Sequence, residues 1–336
     1  MTSKKPVLIT GGAGYIGSHA AKLFLEKGHK VVILDNLFRG YQGAIDVLKK
    51  YGDVDFHKID LRNSEEVDAL FDQYEFDSVL HFAALCLVSE SMEKPEEYFK
   101  NNVYGSLNLF EAMRHHNVRN LVFSSTCAVY GESEYLPLDE KHPKNPTNSY
   151  GESKLIVEQM LKWYDRVHDF RHVTFRYFNV CGAAPDGTIG DSKRPSVLLV
   201  QNAVRGALGI EDFKLTCPKV ETPDGTPIRD YVDVNDLVEA HFLAYEYLLN
   251  GGSSDALNLG SGNGISVLEI ISQVENILGT KIEVNHGVAR KGEYAKVYAS
   301  YNRAKEKLGW NPKLSLKDSV NALVAWYRDH PRGYDA

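Results

Sequence analysis

The sequence is poor in cysteine, methionine and tryptophan, with 4, 4 and 3 of them in 336 residues. Cys86, Cys127, Cys181 and Cys217 form no CxxC pair, and none stands near histidine at metal-ligand spacing. Neither a disulfide framework nor a metal site is therefore expected, and the reading is four reduced thiols in a cytoplasmic protein. No apolar run approaches the roughly 20 residues that span a bilayer, so no membrane partner is expected. The opening MTSKKPVLIT has too short an apolar run for a signal-peptide core. Excess positive charge is missing too. Lys plus Arg is 38 against 45 for Asp plus Glu, a formal net charge of −7, which argues against a nucleic-acid partner. Internal repeats and low-complexity tracts are absent. What remains is an ordinary globular composition, 43% hydrophobic and 25% charged, in a chain long enough for one large domain and a smaller one.

The first positive signal is at the beginning. Val7-Leu8-Ile9-Thr10 is a short apolar run that stops at glycine and reads as a buried strand. Gly11, Gly14 and Gly17 follow at GxxGxxG spacing, then a segment with helical periodicity that ends at Gly28. A second apolar strand, Val31 to Leu34, ends at Asp35-Asn36. A pyrophosphate sits on a helix N-terminus only where the backbone can approach it closely, and glycine permits that. The acid at the end of the second strand is placed to accept hydrogen bonds from a ribose, which favours NAD over NADP. Arg39 stands near enough to bear on a 2′-phosphate.

The alternation continues. Strands are expected at 54–59, 78–82 and 120–123, with helices over 64–74 and 96–116. Repeated βα units predict an α/β fold, a doubly wound parallel sheet of the Rossmann type, with ligands beyond the carboxyl ends of the strands. A smaller C-terminal α/β domain completes the chain. The expected boundaries are 1–180 for the dinucleotide domain and 181–336 for the second, with a return to the first around 229–260.

Tyr150-Gly151-Glu152-Ser153-Lys154 opens a further helical segment. A Tyr/Lys pair four residues apart shares one helix face. On its own such a pair is usually a solvated surface. After a dinucleotide fold and the hydroxyl cluster Ser124-Ser125-Thr126, it points to proton transfer. Tyrosine has a pKa of about 10, and a neighbouring ammonium favours the tyrosinate. Thr126 is placed to bridge Tyr150 and a substrate hydroxyl.

GGAGYIGSH, LDNL, HFAA, NNVYGSLNLFEAM, SSTCAVYG, NPTNSYGESK, RYFNVCGAAPDG, DGTPIRDYVDVNDL and RAKEKLGW occur in that order. Together they resemble the extended short-chain dehydrogenase/reductase family, on its UDP-galactose 4-epimerase branch, over nearly the whole chain. The resemblance implies NAD-dependent epimerisation at carbon 4 of UDP-glucose and UDP-galactose through a transient 4-keto sugar. It implies Tyr150, Lys154 and Thr126 as catalytic residues. Implied cofactor contacts are Gly11, Gly14, Tyr15, Ile16, Asp35, Asn36, Asp60, Leu61, Phe82, Ala83, Asn101, Ser124, Tyr150, Lys154 and Tyr177. Asn179, Arg229 and Arg290 are implied at the nucleotide sugar, where a guanidinium fork suits a diphosphate. A homodimer built from helices within 96–114 and 152–168 is also implied.

The chain departs from the family pattern at several places. Cys86 replaces a lysine common near the cofactor. Arg194 and Pro195 stand where many members have Asn or His, then Leu; Arg194 offers a charge to the diphosphate. Thr216 stands at a frequent Phe, and Glu293 at a ribose-binding Asp. Ungapped counting puts Val297 at the wall beside the sugar C2 substituent, with Tyr298 next to it. Alternation sends these two to opposite faces, so only one lines the pocket: Val297 there leaves room for the N-acetyl group of UDP-GlcNAc and UDP-GalNAc, whereas Tyr298 there closes it. Rival readings are a nucleotide-sugar 4,6-dehydratase, a 4-ketoreductase and a non-enzymatic NAD-binding regulator. The dehydratase needs an acid after the hydroxyl residue, and Cys127-Ala128 follow Thr126.

Overall fold

The computed structural model describes residues 5–194, 196–288 and 294–334. In chain order the strands are β1 (Val7–Thr10), β2 (Val31–Leu34), β3 (Val54–His57), β4 (Ser78–His81), β5 (Asn120–Thr126), β6 (Arg171–Tyr177), β7 (Asn179–Cys181), β8 (Phe213–Leu215), β9 (Ile228–Asp233), β10 (Asp255–Leu259), β11 (Gly264–Ser266), β12 (Val284–His286) and β13 (Lys296–Val297). The helices are α1 (Tyr15–Glu26), α2 (Gln42–Leu48), α3 (Ser64–Gln73), α4 (Val88–Glu93), α5 (Pro95–Tyr98), α6 (Gly105–His115), α7 (Ser149–His168), α8 (Leu199–Ala207), α9 (Val234–Leu249), α10 (Val267–Leu278), α11 (Asn302–Leu308) and α12 (Leu316–Asp329).

The chain divides into two units. The first holds residues 1–131, 143–176 and 238–257; the second holds 132–142, 177–237 and 258–336. The crossing thus falls at Tyr177 rather than 181, the return is shorter than 229–260, and 132–142 belongs with the second unit.

A seven-stranded sheet of order β10-β6-β5-β4-β1-β2-β3 carries the first unit. β1 pairs in parallel with both β2 and β4, and Thr10 stands level with Leu34 and His81. Strands β1, β2 and β4 are buried at every residue, because helices cover both faces of a parallel sheet. The edge strand β3, with its alternating Asp55 and His57, stays half-buried throughout. β1 and β4 are neighbours in space but not in sequence. This is the switch point where the strand order reverses and a crevice opens at the carboxyl ends.

One expected element is broken. Residues 96–116 form α5, a π-helical turn over Phe99–Tyr104, then α6. The wider turn accommodates Asn102, whose amide accepts from Leu85 N at 2.8 Å and donates to Leu85 O at 3.0 Å. Tertiary hydrogen bonds here outweigh the local 3.6-residue period.

The second unit has its own core of residues from α8, α10, α12 and the strands β7, β9 and β8, including Val204, Ile270, Leu323, Trp326 and Tyr231. Its sheet orders β11-β9-β13, with β7 also paired to β9. No described helix is long and apolar enough to cross a membrane.

Candidate active site

The glycine turn joins β1 to α1 and laps against β4. A Cβ on Gly17 would stand 2.2 Å from the Gly11 carbonyl oxygen, and one on Gly11, at φ +71°, 2.6 Å from Ala83 N. Side chains at these two positions would push the turn off the sheet. Gly14 caps α1 without a side-chain hydrogen bond, and the first helical turn carries no acid. The N-terminal N–H groups and the positive end of the helix are left for an anion.

Asp35 lies at the end of β2 and is buried. Its carboxylate accepts from Ala13 N at 3.0 Å and from Leu37 N at 2.8 Å. Burial raises its pKa, and those two N–H groups oppose the rise. Asn36 donates to Asp60 Oδ2 at 2.8 Å. The Asp60 carboxylate is also gripped by Arg62 through Nε at 2.9 Å and Nη2 at 2.8 Å. Those Arg62 bonds hold Asp60 well below the usual carboxylate range. Leu61 is buried, and its carbonyl accepts from Asn108. Phe82 stacks near His241, with ring centroids 4.7 Å apart. Tyr15 is buried, Ile16, Ala83 and Tyr177 are half-buried, and Asn101 on the π-helical turn donates to Asn102 Oδ1.

The Tyr/Lys pair is set by α7. Asn148 caps this helix, its side chain accepting from Gly151 N at 2.8 Å. Gly151 passes so close to the Ala128 carbonyl that a Cβ would stand 2.6 Å from its oxygen. Ala128 N in turn donates to Thr126 Oγ1 at 3.1 Å. These contacts bring the start of α7 to the end of β5. Tyr150, Lys154 and Thr126 are 9%, 3% and 7% exposed, so a proton moved among them is shielded from bulk water. The Lys154 ammonium donates to Ser124 O at 2.9 Å and lies 4.8 Å from the centre of the Phe123 ring. Burial pulls its pKa down to about 8.

Sequence reasoning missed the scaffold behind this pair. Asn102 Nδ2 donates to Ser153 Oγ at 3.0 Å, and Ser153 Oγ donates to Tyr150 O at 2.7 Å. His81 links Thr10 Oγ1 at 2.7 Å with Ser106 Oγ at 2.8 Å. Burial, and then the Lys154 charge, push His81 down to about 3, so it is neutral. The HFAA, NNV and YGESK segments contain His81, Asn102, Tyr150 and Ser153, but nothing local in them marks which polar side chains meet.

In the second unit, register puts Val297 level with Arg229 and Asn179 level with Tyr231. Since alternate residues share a face, Asn179, Arg229 and Val297 lie on one side of this sheet. Tyr298 turns to the other side, its ring within 3.0 Å of where a Cβ on Gly264 would stand. Arg194 is paired with Glu211 at 3.3 Å, a carboxylate shared with Arg205. Its side chain stays 41% exposed, and only Nε faces that carboxylate. Pro195, Arg290 and Glu293 lie outside the described residues.

A doubly wound sheet with an uncapped glycine turn, an acid closing β2 and a buried Tyr/Lys pair defines a dinucleotide-dependent enzyme that moves hydride and proton at a hydroxyl-bearing carbon. The chain belongs to the NAD dependent epimerase/dehydratase family, whose model matches residues 7–260. It is 42% identical to the UDP-glucose 4-epimerase of Halalkalibacterium halodurans over 330 residues, covering 98% of this chain and 97% of that one. A crystal structure of a UDP-glucose 4-epimerase superposes with a TM-score of 0.92 at 44% identity, over 98% of this chain and 100% of that chain. The Bifidobacterium longum UDP-glucose 4-epimerase, in complex with NAD+ and UDP, gives 0.93 at 34% identity, over 98% and 99%.

Proposed function

We propose that the protein interconverts UDP-glucose and UDP-galactose by NAD-dependent 4-epimerisation through a transient 4-keto sugar. The observation that carries this reading is the Lys154 ammonium, buried and tied to Ser124 O one helical turn from Tyr150. NAD bound in the groove would supply the hydride acceptor and donor for carbon 4. The residues present fit it. The bare α1 N-terminus and glycine turn seat its diphosphate, and Asp35 takes ribose hydroxyls.

Tyr150 accepts the proton of the sugar 4-hydroxyl, and Lys154 keeps a positive charge beside it that favours the tyrosinate. Thr126 holds the hydroxyl in line. On the return half-reaction Tyr150 gives the proton back, so neither acid nor base is consumed. The segment after Thr126 opens a short 3₁₀ turn at Cys127–Val129 and brings no carboxylate, which disfavours elimination of water from the ketone. Asn179 and Arg229 are the proposed contacts of the UDP moiety. Incubation with UDP-galactose, no NAD added, tests the reading. UDP-glucose must appear; its absence from protein that carries NAD would rule the reaction out.

Val297 is proposed as the wall beside the sugar C2 substituent. Its side of the sheet, shared with Arg229, supports Val297 over Tyr298 for that place. The unmodified protein is expected to interconvert UDP-GlcNAc and UDP-GalNAc as well. Val297→Tyr is expected to remove that activity at least tenfold more than it lowers turnover of the plain hexoses, since a ring filling the acetamido space clashes only with the larger sugar (~1.4 kcal/mol or more of discrimination). Equal loss on both sugar pairs would overturn the assignment.

A homodimer is proposed as well. Trp163 and Val167 on α7 are 60% and 61% exposed, and Tyr104 just before α6 and Leu107 on it are 49% and 37% exposed. Large apolar side chains at helical spacing suit burial against a second copy. Sedimentation equilibrium should give twice the chain mass, and Trp163→Glu should shift it towards the monomer. The cytoplasm is the proposed location, in keeping with free thiols at all four cysteines.

A further inference from the structure

Taking NAD as the cofactor of this groove, as proposed above, we propose that Arg39 is the cation that neutralises its diphosphate. A dinucleotide places its diphosphate between two riboses. In the first unit Asp35 serves one end of the groove, and Tyr150 with Lys154 the other. The glycine turn between them offers backbone N–H groups but no full charge. Arg62, the nearest alternative on the β3 side, is committed to Asp60 and reaches Glu97 at 3.7 Å.

Arg39 is four residues beyond Asp35, on a loop locked against that turn. Tyr41 N donates to Ala13 O at 3.0 Å, and Gly40 backs onto Ala13 and the Asp35 carboxylate. Leu37 N bonds Asp35, and Phe38 N bonds Asn36. The guanidinium is also held from behind. Its Nη2 pairs with Glu90, which accepts from the hydroxyl of the fully buried Tyr98 at 2.8 Å. Its Nη1 is buried and has no hydrogen-bond partner among the described residues. A buried guanidinium nitrogen left without an acceptor is costly, and native structures rarely keep one. A diphosphate meets these conditions. It is doubly charged, rich in acceptors and matched to a planar donor fork. A 2′-phosphate does not, because it would stand against the Asp35 carboxylate.

The test measures NAD retained through purification and the NAD dissociation constant at rising salt, for the parent, Arg39→Gln and Glu90→Gln. Adenosine, which lacks the diphosphate, is titrated alongside. Arg39→Gln is expected to weaken NAD about tenfold, the effect of one charge-assisted hydrogen bond, and to flatten the salt dependence. Adenosine affinity should not change. Glu90→Gln keeps the cation and should hold NAD at least as tightly as the parent. Parental NAD affinity in Arg39→Gln overturns the assignment. So does an equal loss in both variants, or an equal loss of adenosine, which would make Arg39 a loop fastener. A parent that binds no NAD at all fails the cofactor reading itself, a result distinct from each of these.

Discussion

Tyr150→Phe is expected to lower kcat by about a thousandfold, the usual contribution of a positioned acid–base group, while NAD stays bound. The change deletes one oxygen and keeps the ring, which packs edge-on to Tyr98 with centroids 6.4 Å apart. Helix α7, its Asn148 cap and the Lys154 bond to Ser124 O do not depend on that oxygen. Thr126→Val should cost less, about tenfold, because the hydroxyl positions the proton and does not accept it. Both are read as kcat with cofactor content measured on the same sample. Near-normal turnover in Tyr150→Phe would sink the mechanism. The same site predicts an alkaline limit. Burial brings Lys154 down to about 8, so its positive charge is full below that pH and is lost as pH rises through it. The charge favours the tyrosinate, so kcat should decline above about pH 8.

The second large effect is on stability. Glu158 and Arg176 lie back to back beneath the site, with side chains 3% and 2% exposed. Arg176 Nη2 and Nε donate to Glu158 at 2.6 and 2.9 Å, Ser125 Oγ donates to it at 2.6 Å, and Arg176 Nη1 donates to the Tyr130 hydroxyl at 3.1 Å. Glu158→Leu strands the guanidinium in the core and should cost about 3–5 kcal/mol, because an uncompensated buried charge loses hydration without gaining a partner. On a unit of this size that is a fall in Tm of about 10 °C. Adding Arg176→Met should recover most of the loss, since an apolar pair carries no desolvation penalty. Denaturation of both variants checks this, and a double variant as unstable as the single would refute it. Glu158 also raises the Lys154 pKa. In Glu158→Leu the alkaline decline of kcat should therefore begin at lower pH.

Much of this protein was readable from residues close together in the chain. The short apolar run before the glycine turn reads as a strand covered on both sides, and β1 is that, as is the apolar run of β2 before Asp35. The βα alternation implies the parallel sheet, and the carboxyl ends of its strands then carry Gly11, Asp35 and Thr126. The four-residue spacing of Tyr150 and Lys154 is a property of the helix alone. These features follow from local period and turn chemistry, which each segment encodes by itself. Tertiary structure decided what depends on register and on partners far apart. Val297 and Tyr298 alternate in any strand, and only pairing with β9 says which shares the side of Arg229. Arg39 meets Glu90 across 51 residues, and Arg194 comes beside a carboxylate that Arg205 also holds. Asn102 overrides a continuous helix because its amide finds Leu85 and Ser153. A buried polar group takes whichever partner the packed fold brings within 3 Å, and no local pattern in the chain encodes that choice.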